Sequence, residues 1–443
     1  MSTAARATPP AERTTSLGLA KVWPVFALAV VIALVCEVIG SVPIDVGIGE
    51  IVLFPMVWGI LFATVVSVQK VRPLPVALQK AATAVVGTTV LVLVARLAYN
   101  VGPSLELLVD AGPALLLQEI GHLLGTVGLA LPLAVLLKMG RATVGATFSL
   151  DREPSFAIVS EKYGADSDEY RGVLTMYVFG TLFGAVYITF LASLMSSAGV
   201  FDPLALAMGA GVGSGSMMAA ATGAISSVYP GDEQGILAIA AVSNLLTTLL
   251  GVYVGIYVAL PLAQRMYSAM TRRNTPVVDA ATAERNRRFR EEFSANAGTV
   301  DVPLHVTLPV IAVLGIATAS IAAGGFSWEI VGGYAAMTAL VLLGLALHRL
   351  VKPISSIIWI TTLGAALSSP WSPVGERLFA LASSVSILSL ATIMLTLAGL
   401  SLGKDMGLLK SVGWKIVPVG LVAITASFAL STLIAEFALG FWG

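Results

Sequence analysis

In LLLQEIGHLLG (115–125) a glutamate and a histidine, Glu119 and His122, stand three residues apart inside an apolar run, with Gln118 beside them. Side chains three apart share one face of a helix. Ionisable groups at membrane depth are costly, so they mark functional sites, and a Glu–His pair suits a proton relay because imidazole titrates nearest neutral pH. A zinc site is not expected: two ligands are too few, and no second cluster of His or Cys accompanies them. If 105–118 forms a surface helix, the same two residues lie nearer the outer interface.

The second group sits in GATFSLDREPSFAIVSEKYG (145–164), where Asp151, Arg152 and Glu153 interrupt an otherwise apolar region. Gly145 and Pro154 break a helix there, and irregular backbone at membrane depth survives only where protein or water satisfies it. A half-helix opening at Pro154 would present its free N–H groups to the resulting cavity. Ser149 and Ser155 add hydroxyls at the cap. The carboxylates favour Na⁺ or a titrating proton, and the guanidinium can fork onto a substrate carboxylate. The alternative is an Arg–Glu pair neutralising itself at the cytoplasmic surface.

A third group, MGAGVGSGSMMAAATGA (208–224), concentrates small residues at Gly213, Ser214, Gly215 and Ser216. Glycine admits close approach of backbone to a ligand, and exposed carbonyls or hydroxyls suit Na⁺ or a polar substrate. Close helix packing is the other use of such a run. No Gly-Lys-Ser/Thr follows, so it is not a phosphate loop. Asn244, alone on an apolar stretch, fits either a helix–helix hydrogen bond or a ligand contact. Arg96, Glu37 and Glu436, near the ends of apolar stretches, are expected to snorkel.

The elements that must position these groups are set by composition. Of 443 residues, 57% are hydrophobic and 11% charged, and the mean hydropathy is +0.91. A soluble domain is about a quarter charged, so the chain is an all-α polytopic membrane protein. A spanning helix needs about 20 mostly apolar residues. Eleven stretches qualify, near 22–40, 51–69, 81–99, 114–138, 172–195, 236–262, 304–325, 329–347, 353–369, 378–400 and 416–439. Two broken stretches, 143–161 and 204–229, remain, and either cross fully or dip in and turn back. One cysteine, Cys36, excludes an intramolecular disulfide, and zero net charge gives no reason to expect a nucleic-acid partner.

Lys and Arg cluster near residues 6–21, 70–80, 138–141, 265–290, 349–352 and 404–415. The positive-inside rule puts these segments in the cytoplasm. The expected organisation is a cytoplasmic tail at 1–21, a membrane region at 22–265 with its transport core near 105–262, a cytoplasmic loop at 266–303 carrying a short amphipathic helix, and a membrane scaffold at 304–443. Residues 145–174 also align with 211–237, so that Gly145 meets Gly211, Tyr163 meets Tyr229 and Gly172 meets Gly235. If both broken stretches are re-entrant, the spans after them run in opposite directions, which is the inverted repeat of secondary transporters.

VPIDVGIGEIVLFPMVW, LLQEIGHLLGTVGLALPLAVLLKMGRATVGATFSLDREPS and GAGVGSGSMMAAATGAI resemble an uncharacterised family of bacterial integral membrane proteins known as a domain of unknown function, over most of residues 20–440. The tips more distantly resemble bacterial lysine exporters, sodium/glutamate symporters and sodium-dependent citrate carriers. That resemblance implies a scaffold plus a transport domain with paired broken-helix tips, moving amino or carboxylic acids with a cation. The Gly-Gly-His-Gly tip of the sodium/glutamate symporters is replaced by Ser-Leu-Asp-Arg-Glu, so their substrate and sodium coupling do not transfer. The expected function is a secondary active transporter of a small organic anion or amino acid in the bacterial inner membrane. It would use Na⁺ or H⁺ as coupling ion and no cofactor, with the bilayer and a small-molecule substrate as partners and a homodimer left open. An intramembrane enzyme built on Glu119 and His122, or a channel, is the alternative; neither a nucleophile–base pair nor a pore motif is present.

Overall fold

The computed structural model describes residues 15–45, 50–148, 154–163, 167–271, 300–352, 354, 356–405 and 414–442. Each of the eleven apolar stretches contains described helix, and seven helices are long and apolar enough to cross a membrane. The chain is an all-α polytopic membrane protein. The expected amphipathic helix of the 266–303 loop lies mostly outside the described residues.

Around the bundle run α1 (Leu19–Ile39), α2 (Pro55–Val68) and α3 (Val76–Val101). A short helix, α4 (Leu105–Asp110), then precedes α5 (Gly112–Leu123) and α6 (Leu131–Leu136), which are joined by a π-helical turn at Leu124–Ala130. Pro55 occupies the first turn of α2, where its missing N–H costs nothing. The residues before it pair instead as a hairpin, Val42–Asp45 against Glu50–Leu53. That leaves α2 at 14 residues, shorter than the 51–69 expectation.

The two broken stretches form helical pairs. The first is α7 (Ala142–Thr147) and α8 (Pro154–Tyr163), followed by α9 (Asp168–Phe179), a π-helical turn at Gly180–Gly184, and α10 (Ala185–Ser197). The second is α11 (Pro203–Gly211) and α12 (Gly215–Val228), followed by α13 (Glu233–Val254), a π-helical turn at Gly255–Ala259, and α14 (Leu260–Thr271). The half-helices have 6, 10, 9 and 14 residues. At ~1.5 Å per residue none approaches the ~30 Å hydrocarbon thickness.

Contacts at the bases show that both pairs turn back. Arg141, preceding α7, donates from Nε to Glu169 Oε1 of α9 at 2.7 Å, and this bond, followed by the charge of Glu169, holds the guanidinium pKa above its ordinary value. The entry of the first pair therefore lies beside its exit. Tyr229, following α12, donates from its hydroxyl to the Ser196 carbonyl of α10 at 2.8 Å, so the second pair also leaves where it entered. Tyr163 of α8 donates to Gln264 Oε1 of α14 at 3.2 Å. The two hairpins thus enter from opposite ends of the bundle.

The remaining helices are α15 (Leu304–Ala322), α16 (Trp328–Leu350), α17 (Ser356–Ser368), α18 (Gly375–Ser383), α19 (Ile387–Ser401) and α20 (Ile416–Trp442). The expected span 378–400 is interrupted at 384–386, between α18 and α19. Arg96 explains how that break is tolerated and corrects its expected snorkelling. It is only 2% exposed, and its Nε donates to the Val385 carbonyl at 2.8 Å, satisfying backbone that the break removes from helical bonding. Glu436, by contrast, is half-buried and accepts from the Asp202 amide at 2.7 Å through Oε2. It thereby anchors the start of α11 to α20.

Candidate functional site

Both hairpins line a common cavity of about 470 Å³. The first contributes Phe148, Ser155 and Ile158; the second contributes Gly213, Ser214, Gly215 and Ser216. Glu119 and His122 line the same space from α5, Asn244 and Thr247 from α13, and Tyr177 from α9. Next to the second hairpin's tip α3 presents Thr83, Val86, Gly87, Val90, Leu91 and Val94, the spacing of one helix face. Of the sequence-derived site residues, Ser155, Gly213, Ser214, Gly215, Ser216, Asn244, Glu119 and His122 are therefore brought together. Ser149, Asp151, Arg152 and Glu153 lie outside the described residues.

The break in the second hairpin follows from its composition. After Gly211 the chain leaves the helix over Val212–Ser214, and α12 restarts with Ser214 as its N-cap, the Oγ accepting from the Met217 amide at 3.4 Å. Ser214 and Ser216 share a hydroxyl–hydroxyl bond at 3.1 Å. The carbonyls freed by the break are taken up by Asn244, whose Nδ2 donates to the Gly211 and Gly213 oxygens, both at 2.8 Å. The sequence left Asn244 between packing and ligand contact. It staples the tip and also faces the cavity.

Glu119 is 9% exposed and so lies within the bundle. The Thr247 hydroxyl lies within bonding reach of the Glu119 carboxyl and of the Ser243 carbonyl, the latter at 2.9 Å. A hydroxyl has one proton to give. With Glu119 ionised, Thr247 donates to it; with Glu119 protonated, Thr247 can donate to Ser243 while accepting from the acid. His122 bonds through Nδ1 to the Ser427 hydroxyl of α20 at 2.6 Å. Next to Glu119, Gln118 is fully buried and donates from Nε2 to Ser243 Oγ at 2.6 Å.

Three helical walls carry π-turns at the level of this cavity. Thr126 belongs to the first, Tyr177 lies three residues before the second, and Gly255 and Ala259 belong to the third. Such turns are uncommon and concentrate at functional sites. Two half-helices also begin at the cavity, at Pro154 and Gly215. Their first N–H groups and positive dipole ends favour an anionic group there. Among the described residues Glu119, His122 and Tyr177 are the titratable members of the lining.

Thr247 and Ser427 were not singled out from the sequence. Thr247 had a signal: Ser243, Asn244 and Thr247 place a polar stripe on an apolar helix. Ser427 had none, because its role depends on α20 packing against α5.

No curated protein and no solved structure matches the chain. A family described as "Protein of unknown function (DUF3100)" matches residues 34–269. The matched segment contains both hairpins and every cavity-lining residue except Ile357, Ala398 and Ser401, and it ends before the helices α15–α20. Since it covers more than half of the 443 residues, the chain belongs to the DUF3100 family.

Proposed function

We propose that this protein is a secondary active transporter that carries a small organic anion or amino acid across the bacterial inner membrane, coupled to H⁺. The observation that carries the reading is that two hairpins, entering from opposite ends, bring residues flanking the break of the first and the tip of the second to one cavity walled by Glu119 and His122. Alternating access needs a central site reachable in turn from each side, and paired broken helices supply one. The helix starts at Pro154 and Gly215 suit the carboxylate of the cargo. The distant resemblance to lysine exporters and to glutamate and citrate carriers agrees with that class of substrate.

An inverted repeat accounts for several matched contacts. Gly145 of α7 lies against α9, and Gly211 of α11 lies against α13. Each hairpin is followed by a span with a π-turn, and the aligned tyrosines Tyr163 and Tyr229 each bond the far end of the other unit's span. Among the described residues basic segments gather at one end of the bundle, since Lys415 donates to the Lys138 carbonyl and Gly403, beside Lys404, donates to Ser67, close to Lys70, and this supports a cytoplasmic placement of that end. With the buried Cys36 replaced, a cysteine at Ser167 is expected to label only from the cytoplasm and one at Val200 only from outside. Labelling of both from one side would sink the opposed-hairpin arrangement.

Proton coupling is favoured over sodium by the depth of Glu119 and by the two hydrogen-bond states open to Thr247. In Na⁺-free proteoliposomes offered a panel of carboxylates and amino acids, a pH gradient is expected to drive accumulation of at least one of them. Glu119→Gln, fixed in the neutral form, should lose gradient-driven accumulation yet retain exchange of the same substrate across the membrane. A strict requirement for Na⁺, with Glu119→Gln as active as wild type, would replace the proton by sodium; no transport of any panel member would remove the assignment.

A further inference from the structure

A second space, of about 800 Å³, opens between α15 and α16 at the end of the bundle where α1 begins. It lies outside the family-matched segment and shares no residue with the central cavity. Its mouth carries Asp301, His305 and Arg349, and its walls are apolar, with Leu308 and the half-exposed Leu342 among them. Pro309 lies inside α15, and having no N–H it cannot bond the His305 carbonyl one turn earlier, so the helix is loosened beside the mouth.

Two features identify the occupant. The first is length: the lining runs from Leu304 to Ala312 on α15 and from Thr338 to Arg349 on α16, or ~12–16 Å at ~1.5 Å per residue, which is about half of the ~30 Å hydrocarbon core and therefore about one leaflet deep. The second is charge. Asp301 and Arg349 are both exposed at the mouth, yet among the described residues neither forms an ion pair with the other. The Asp301 backbone is fixed by the Leu17 amide, which donates to its carbonyl at 2.9 Å, so the main chain that carries the acid is anchored at the mouth. An acid and a base kept apart above an apolar slot complement a headgroup with a cation and an anion on one short linker.

The geometry points to a phospholipid of the phosphoethanolamine type bound in this groove. Arg349, with His305, takes the phosphate; Asp301 accepts from the primary ammonium; one acyl chain lies along Leu308 and Leu342. A choline headgroup has the same phosphate but no N–H to donate, and a glycerol headgroup lacks the cation.

The test is native mass spectrometry of the full chain, released from bilayers containing equal parts of phosphatidylethanolamine, phosphatidylcholine and phosphatidylglycerol. The ethanolamine lipid is expected to be retained about tenfold over either other lipid, the scale of one charge-assisted hydrogen bond. Asp301→Asn should erase that preference, Arg349→Gln should lower retention of all three lipids, and Leu342→Trp, which fills the slot, should release the lipid. All three side chains are exposed or half-exposed, so the variants should melt with wild type. Equal retention of the three lipids by wild type overturns the proposal, as does an ethanolamine preference that survives Asp301→Asn, or retention that survives Leu342→Trp. A dimer carrying no lipid would assign the groove to a second copy of the chain and also overturn it.

Discussion

Gly145→Val and Gly172→Val should each abolish folded protein in detergent, whereas Gly87→Ala should fold normally. A Cβ on Gly145 would overlap the Glu169 carbonyl oxygen, and one on Gly172 would overlap the Ala142 carbonyl oxygen. Helices α7 and α9 therefore meet backbone to backbone, the small-residue contact that membrane helices use in place of a hydrophobic driving force. Neither side can yield, because the opposing atoms are main chain. The loss should reach or exceed the upper end of the about 1–3 kcal/mol typical of overpacking. Gly87, on the cavity face of α3, has open space where its Cβ would go. Size-exclusion profiles and melting curves of the three variants make the comparison. A Gly145→Val protein that elutes and melts like wild type would mean that α7 does not rest on α9.

Asn244→Leu should open the tip of the second hairpin without unfolding the bundle. The substitution preserves bulk but strips the donor from the Gly211 and Gly213 carbonyls, and each buried acceptor left unsatisfied costs about 1–3 kcal/mol. The tip then gains by moving toward water. With Cys36 replaced and a reporter cysteine at Ser216, the labelling rate should rise on the order of tenfold or more, since each 1.4 kcal/mol is about a factor of ten. Asn244→Asp should go further, because it sets a carboxylate against two carbonyl oxygens. An unchanged rate in both variants would show that the break is held by other contacts.

What the sequence revealed about this molecule was what local chemistry decides. Spans were legible because an apolar run of bilayer length has few other destinations. The tip at Val212–Ser214 was legible because glycine and serine in that density cannot sustain a helix. Glu119 was legible as a candidate but not in depth, since its burial depends on α13, which supplies Thr247 from 128 positions away. Arg96 was misread for the same reason: its partner, the Val385 carbonyl, lies 289 positions along the chain. The interruption between α18 and α19 escaped notice because Ser384 and Ser386 are unremarkable in an apolar helix, and the three π-turns left no compositional mark.

Those π-turns determine which neighbours a single span can hold. One surplus residue advances everything downstream by about 100° around the helix axis. Before its turn α9 packs on α7, and after it α10 packs on α12; likewise α13 packs on α11, while α14 packs on α7. Each span is thus a rod with a phase slip at cavity level, gripping one hairpin with its first half and the other with its second. The hairpins touch the same two rods at opposite ends, so the angular offset built into each rod fixes the orientation of one tip relative to the other.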